Sequence, residues 1–280
     1  MAILGRGPLN GCSYELHCSA FYEANRSAIF FATFRGTHVD EGGPVEPTQQ
    51  QTNSEYVYVV RMNEEGKVAS CLEQFRDTSD RVEIILVDGG SSDQTVAIAE
   101  QASVGRVVHS TERGRAAQMN RGAAEAKGDL FLFLHADTLL PDNWVDLISV
   151  SVYDREMIGG RFLLSISESG FIYRLITFGS NFRSRRFGVV YGDQAIYTRR
   201  DMFAKTGGFP PLPVFEDSEF CDLLKREGQL DWIDVPVVTS SRRWQRRGPV
   251  RTVLLTWSLR ILYYLSVSPQ TLTRYYRAVR

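Results

Sequence analysis

The groups that could do chemistry in this chain sit in short clusters at the ends of apolar runs. LFLFLHADTLLP (130–141) leads five apolar residues into His135-Ala136-Asp137, and EIILVDGGSSDQT (83–95) does the same with Asp88. FEDSEFCDLLKREG (215–228) sets Glu216, Asp217 and Glu219 ahead of an amphipathic helical pattern. MNEEGKVAS carries Asn63, Glu64 and Glu65, and GRAAQMNRGAAEAKGD carries Arg115, Gln118 and Asn120. An ionised carboxylate only accepts hydrogen bonds, which suits sugar hydroxyls or an imide N–H, and it can take a proton as a general base. The planar guanidinium of Arg115 matches a diphosphate. Each cluster also has a plainer reading: a tight turn at Asp88, acids against a helix dipole at Glu65, an exposed helix arginine, and a capping group at 215–219.

The metal-binding types narrow the chemistry further. Cys12, Cys18, Cys71 and Cys221 show no CxxC spacing, and His17, His38, His109 and His135 form no HxxxH pair. A zinc site or disulfide framework is not expected, so any metal is held mainly by oxygen.

These clusters require strands to carry them. YVYVVR (56–61) reads as a strand, followed by a helical pattern with Val68, Leu72 and Phe75 on one face. EIILVD is a second strand, GGSSDQT a turn, and VAIAEQA a helix. RVVHS, an alanine-rich helix from Arg115 to Lys127 stopped by Gly128, and the strand LFLFLH follow. Strand and helix alternate, and fully apolar strands imply a parallel sheet covered on both faces, that is, an α/β fold. Ligands of such sheets bind beyond the carboxyl ends of the strands, where Asp88 and His135-Ala136-Asp137 lie. GDQAIYTRRDMFAKTGGF (192–209) reads as a turn, a strand, a short helix and a glycine corner.

The totals fit one globular domain with appendages: 280 residues, 43% hydrophobic, 23% charged. Lys plus Arg (32) nearly balance Asp plus Glu (33), so no global field points to nucleic acid. Residues 1–54 lack a sustained period and read as a weakly ordered extension, with 39–55 turn-rich and linker-like. The domain proper covers 55–248, and 249–280 form an amphipathic helical segment. There Val250, Val253, Leu254, Trp257, Ile261, Tyr264 and Leu265 share a face that either packs on the core or lies on a membrane surface. The apolar run 253–267 contains Arg260 and is too short for a simple membrane span. No convincing signal peptide is present.

Taken in order, VVRMNEEGKVASCL, EIILVDGGSSDQT, GRAAQMNRGAAEAKGD, FLFLHADTLLP and FEDSEFCDLLKREG resemble glycosyltransferase family 2, over roughly residues 56–250. The similarity is to a small bacterial-type branch with His-Ala-Asp as its metal motif. The resemblance implies the GT-A fold, with a mostly parallel central sheet and helices on both faces. It also implies inverting, metal-assisted transfer of a hexosyl or related group from a nucleotide-diphospho-sugar to an acceptor hydroxyl. The chain departs from the family pattern at Val60, where a proline is usual, and at Ser240, where processive relatives carry glutamine; the latter argues against a polymerase.

The resemblance implies roles for particular residues. Asp217 would be the general base, supported by Glu216. Asp137 would ligate Mg2+ or Mn2+, with His135 in the place of the usual first acid, as ligand or structural support. Asn63, Glu64, Asp88, Arg115, Gln118, Asn120, Gln194, Arg243 and Trp244 would surround the donor, with Gly192 and Asp193 beside the sugar or acceptor. The arginines of SSRRWQRRG (240–248) could meet a phosphorylated acceptor or an anionic membrane surface. The acceptor is left open between a lipid-linked and a small molecule. So is location, between cytoplasm and membrane surface, with organellar targeting also open. Two rival readings are a non-catalytic nucleotide-sugar-binding protein and a sugar nucleotidyltransferase. MNEEGKVAS lacks the glycine-rich Arg-Lys phosphate loop of the latter.

Overall fold

The computed structural model describes residues 31–37, 51–57, 74–75, 82–91, 96–97, 100, 106–112, 114–135 and 137–277. The helix face of Val68 and Leu72, strand residues 58–61, Asn63, Glu64 and Ala136 lie outside the described residues. Two strands, β1 (Phe31–Thr37) and β2 (Gln51–Val57), pair antiparallel, the second beginning inside the turn-rich stretch. Strand β3 (Ile85–Asp88) pairs in parallel with β4 (Arg106–His109), setting Asp88 opposite His109.

The larger sheet runs in the order β5 (Leu130–Phe133), β8 (Ile196–Arg199), β7 (Gly159–Ile166), β9 (Leu230–Thr239), β6 (Thr138–Leu139). Only β7 and β9 are parallel in it; β5–β8, β8–β7 and β9–β6 are antiparallel. The α/β class and its covered sheet hold, but strand direction is more mixed than the apolar runs imply. The reason is physical: a strand with helices over both faces is apolar whichever way its neighbours run.

That double cover is visible in how one strand divides its side chains. Leu130, Leu132 and Leu134 join a core with Phe75, Leu86, Trp144, Ile148 and Tyr197. Phe131 and Phe133 face a second core with Ile85, Val87, Met119, Phe209, Phe220 and Leu224. The period of two places each side chain against a different helical layer. Helix α2 (Trp144–Ser149) supplies the first layer. Helices α1 (Arg115–Glu125) and α5 (Glu216–Glu227) supply the second, with Phe203 of α4 (Arg200–Thr206) packed against it. Helix α3 (Phe171–Phe187) is tied to β7 by Asn181, whose amide oxygen accepts from Leu164 N–H and whose amide donates to Leu164 C=O, each at 2.9 Å.

After β9 come α6 (Arg242–Arg247), α7 (Pro249–Tyr264) and α8 (Pro269–Arg277). Leu259 and Leu272 form a third core with Val214 and Phe215, against the segment that leads into Asp217. The face of Val250, Leu254, Trp257 and Ile261 is exposed, so core packing falls to Leu255, Leu259 and Tyr263 on the other side of α7.

Candidate functional site

The site gathers where three chain segments turn at the sheet's rim. Helix α5 starts at Glu216, preceded by Phe215 in the left-handed region (φ 66°). A bulky residue there is strained unless its surroundings hold it. Phe215 is clamped by Tyr263 at 5.1 Å and by the Arg260 guanidinium over its ring at 5.0 Å. That packing sets where the next two acids point.

Asp217 is 5% exposed and uses each oxygen once: Oδ2 accepts from Gly192 N–H at 2.7 Å and Oδ1 from Ser218 N–H at 2.7 Å. Gly192 opens a short 3-10 turn, Gly192–Gln194. A side chain there would meet His135 Nε2 at 2.6 Å and Asp217 Oδ2 at 3.4 Å, so the imidazole and the Asp217 carboxylate border one point. The absence of a Cβ at residue 192 is what lets them approach.

Glu216, 1% exposed, pairs with the Arg115 guanidinium at the start of α1. Burial pushes its pKa up, Arg115 draws it down, and Asp217 raises it again. Asp193 behaves similarly: burial raises its pKa, partly opposed by Arg243, 3.8 Å away, and by Arg183. Its Oδ1 is buried without a hydrogen bond. Arg243 also lies over the Trp244 ring at 4.7 Å, and Trp244 is buried. Ser240 N–H donates to Asp137 C=O at 2.9 Å, which brings this arginine-rich segment beside Asp137.

His135, Gly192, Asp193, Asp217, Glu216, Arg115 and Arg243 thus lie together, through these contacts and through the chain links Gly192–Asp193 and Glu216–Asp217. Other expected residues make bonds within the protein. Asp88 closes its own turn, accepting from Gly90 N–H, Ser91 N–H and the Ser91 hydroxyl, with His109 Nδ1 at 3.5 Å. Gln118 is buried and its amide lies 3.4 Å from Val87 C=O, coupling α1 to the strand that ends in Asp88. The Asn120 amide clasps the backbone of Phe209 with two bonds of 2.8 Å. Gln194 is fully buried, its amide donating to the Ser184 hydroxyl and accepting from Tyr191 N–H.

The sequence pattern does not single out Arg183, stacked on Tyr191 at 4.1 Å, or Arg260 as parts of this frame. The one available signal is Arg260 itself, the single charge in the apolar run 253–267, which proves 6% exposed.

Among the described residues, no three His, Cys, Asp or Glu side chains group so as to hold a metal by themselves. His135 and Asp137 lie two residues apart just after β5. Two protein donors fit a hard cation that takes its remaining oxygens from a substrate diphosphate and water.

The family model described as Glycosyl transferase family 2 matches residues 56–207, more than half of the chain. The glycosyltransferase GlyG of Streptococcus pneumoniae is 30% identical over 125 residues, 41% of this chain and 42% of that one. A PGL/p-HBAD biosynthesis glycosyltransferase of Mycobacterium bovis is 36% identical over 90 residues, 30% of this chain and 35% of that one. The chain therefore spans well under half the length of these curated relatives. Among solved structures, a mannosyltransferase from Pyrobaculum calidifontis in complex with GDP-Man and Mn2+ superposes with a TM-score of 0.55 at 19% identity, over 72% of this chain and 59% of that one. Glucosyl-3-phosphoglycerate synthase from Mycobacterium tuberculosis, in complex with phosphoglyceric acid, gives 0.51 at 19% identity over 71% and 76%. At such identities the likeness is one of fold.

Proposed function

The chain belongs to glycosyl transferase family 2, and on that premise we propose that it is a glycosyltransferase that moves a hexosyl or related group from a nucleotide-diphospho-sugar to an acceptor hydroxyl with inversion, Asp217 acting as base. The observation that carries this reading is the convergence of Asp217 Oδ2, Gly192 N–H and the His135 imidazole on one point.

In a single displacement the acceptor oxygen forms its bond to the anomeric carbon as the bond to the diphosphate breaks. The electron pair leaves with the nucleoside diphosphate, and the acceptor proton passes to the Asp217 carboxylate. The Gly192 N–H bond holds that carboxylate in one orientation, which serves an in-line attack. Arg115 and Arg243 supply positive charge toward the leaving diphosphate. Glu216 fixes Arg115 by the buried ion pair. Asp88, at the end of β3, takes the nucleoside end of the donor. His135 and Asp137 would hold Mg2+ or Mn2+, which when bound neutralises charge on the diphosphate. The acceptor hydroxyl belongs to either a lipid-linked or a small molecule.

Asp217→Asn keeps an acceptor for Gly192 N–H and removes the base. Transfer is expected to fall by about 10²–10⁴-fold, while thermal stabilisation by nucleotide-sugars, with and without Mn2+, persists. Turnover at the wild-type rate would remove Asp217 from the mechanism.

A further inference from the structure

Two neighbouring helices expose apolar stripes that the site does not use. On α3, Phe171, Leu175, Phe178 and Phe182 recur at helical spacing and all are more than half exposed, Phe171 at 83%. On α7, Val250, Leu254, Trp257, Ile261 and Tyr264, with Leu265 just after it, do the same, each at least half exposed. The helices touch each other. Scattered exposed leucines need no explanation, but two periodic stripes on adjacent helices do. The sequence alone points to α7; α3 adds a second, more aromatic stripe.

Charge identifies what covers them. No acid occurs between Glu168 and Asp193, a stretch holding Arg174, Arg183, Arg185 and Arg186. None occurs after Asp234, where nine arginines follow in a chain whose net charge is −1. Arg174, Arg185, Arg186, Arg246, Arg247 and Arg251 are exposed beside the stripes. Asp234 already pairs with Arg185, and Glu168 already accepts from Gln245 and Ser241, so a second copy of this face would set the other arginines against arginines. An anionic bilayer surface offers both the apolar layer and the opposite charge.

We infer that α3 and α7 together form a docking surface that lies in the interface of an anionic lipid bilayer. No helix among the described residues is long and apolar enough to cross a membrane. The same helices border the chemistry. α3 runs on through Val189 and Val190 to Gly192, and α7 carries Arg260 and Tyr263 against Phe215. The inference does not rest on the transfer reading.

Its test is co-sedimentation of the full chain with vesicles of phosphatidylcholine alone or mixed with phosphatidylglycerol. Wild type is expected to bind the anionic vesicles more than about tenfold more tightly, with the difference shrinking in high salt. Phe178→Glu with Leu254→Glu should lower that binding about tenfold or more, with unchanged melting temperature because both side chains are exposed. Trp257 fluorescence should shift to the blue on binding, a shift missing in Trp257→Phe. Asp217→Asn should bind vesicles like wild type, which separates this result from failure of the base assignment. Equal or absent binding to the two vesicle types would overturn the inference. So would a wild-type dimer in sedimentation that the double variant converts to monomer, because the face would then be covered by a second copy.

Discussion

The guanidinium of Arg115 and the carboxylate of Glu216 form a buried ion pair, joining the first turn of α1 to the first turn of α5 across 101 residues of sequence. Removing Arg115 leaves the Glu216 carboxylate buried beside Asp217 without its counter-charge. Arg115→Ala is expected to cost about 3–5 kcal/mol of stability, read from urea unfolding. Glu216→Gln combined with it should restore part of the loss, giving a coupling energy in a double-mutant cycle. Additive losses would show that the pair contributes no coupling.

Gly192→Ala tests the shared point between His135 and Asp217. The new Cβ would lie 2.6 Å from His135 Nε2 and must displace the ring. A cost of about 1–3 kcal/mol is expected, with turnover down about 10²-fold and donor stabilisation retained. Unchanged turnover would separate the imidazole from the reaction.

Asp193 predicts a pH dependence. Burial raises its folded-state pKa above the ordinary value of 3.8. The folded chain therefore keeps this proton to higher pH than the unfolded chain does. Stability falls as pH rises from the unfolded value through the folded one, and the cost is complete above the latter. Asp193→Asn removes this contribution, so its melting temperature should decline less than that of wild type as pH rises from about 4. Arg243 loses a partner 3.8 Å away, a small effect for a pair with that arginine 37% exposed. An unaltered slope would show that Asp193 does not titrate in this way.

Asn120 is expected to act on stability. Its amide pairs with both the N–H and the C=O of Phe209, so Asn120→Ala should cost about 1–3 kcal/mol. Asn120→Asp keeps one acceptor but sets a carboxylate against the Phe209 carbonyl, so it should not rescue. Donor affinity of the folded protein should be unchanged in both. A large loss of affinity without loss of stability would place Asn120 on the donor instead.

Much of the frame is legible in the chain because it is local. Arg115–Glu125 is an alanine-rich helix ending just before Gly128. GDQAIYTRRDMFAKTGGF becomes a 3-10 turn, a strand, a helix and a corner at Gly207 and Gly208, both with positive φ. Helix α5 begins at Glu216, where the acidic cluster meets the amphipathic pattern. Strand direction was not legible, since LFLF is buried on both faces and yet pairs antiparallel with β8. The exposed stripe of α3 was not legible either. Apolar residues at helical spacing read the same whether they face a core or solvent.

By itself the sequence determined which side chains are available and which short elements carry them, because capping, period and turn chemistry act over a few residues. Only the tertiary structure decided which of them meet. Gly192, His135 and Asp217 are far apart in the chain, and their approach depends on sheet order and a missing Cβ. Asn120 and Gln194 read alike as polar candidates, but folding turns their amides to Phe209 and to Ser184 and Tyr191. Long-range packing chooses the partners of a polar group, and no local pattern records that choice.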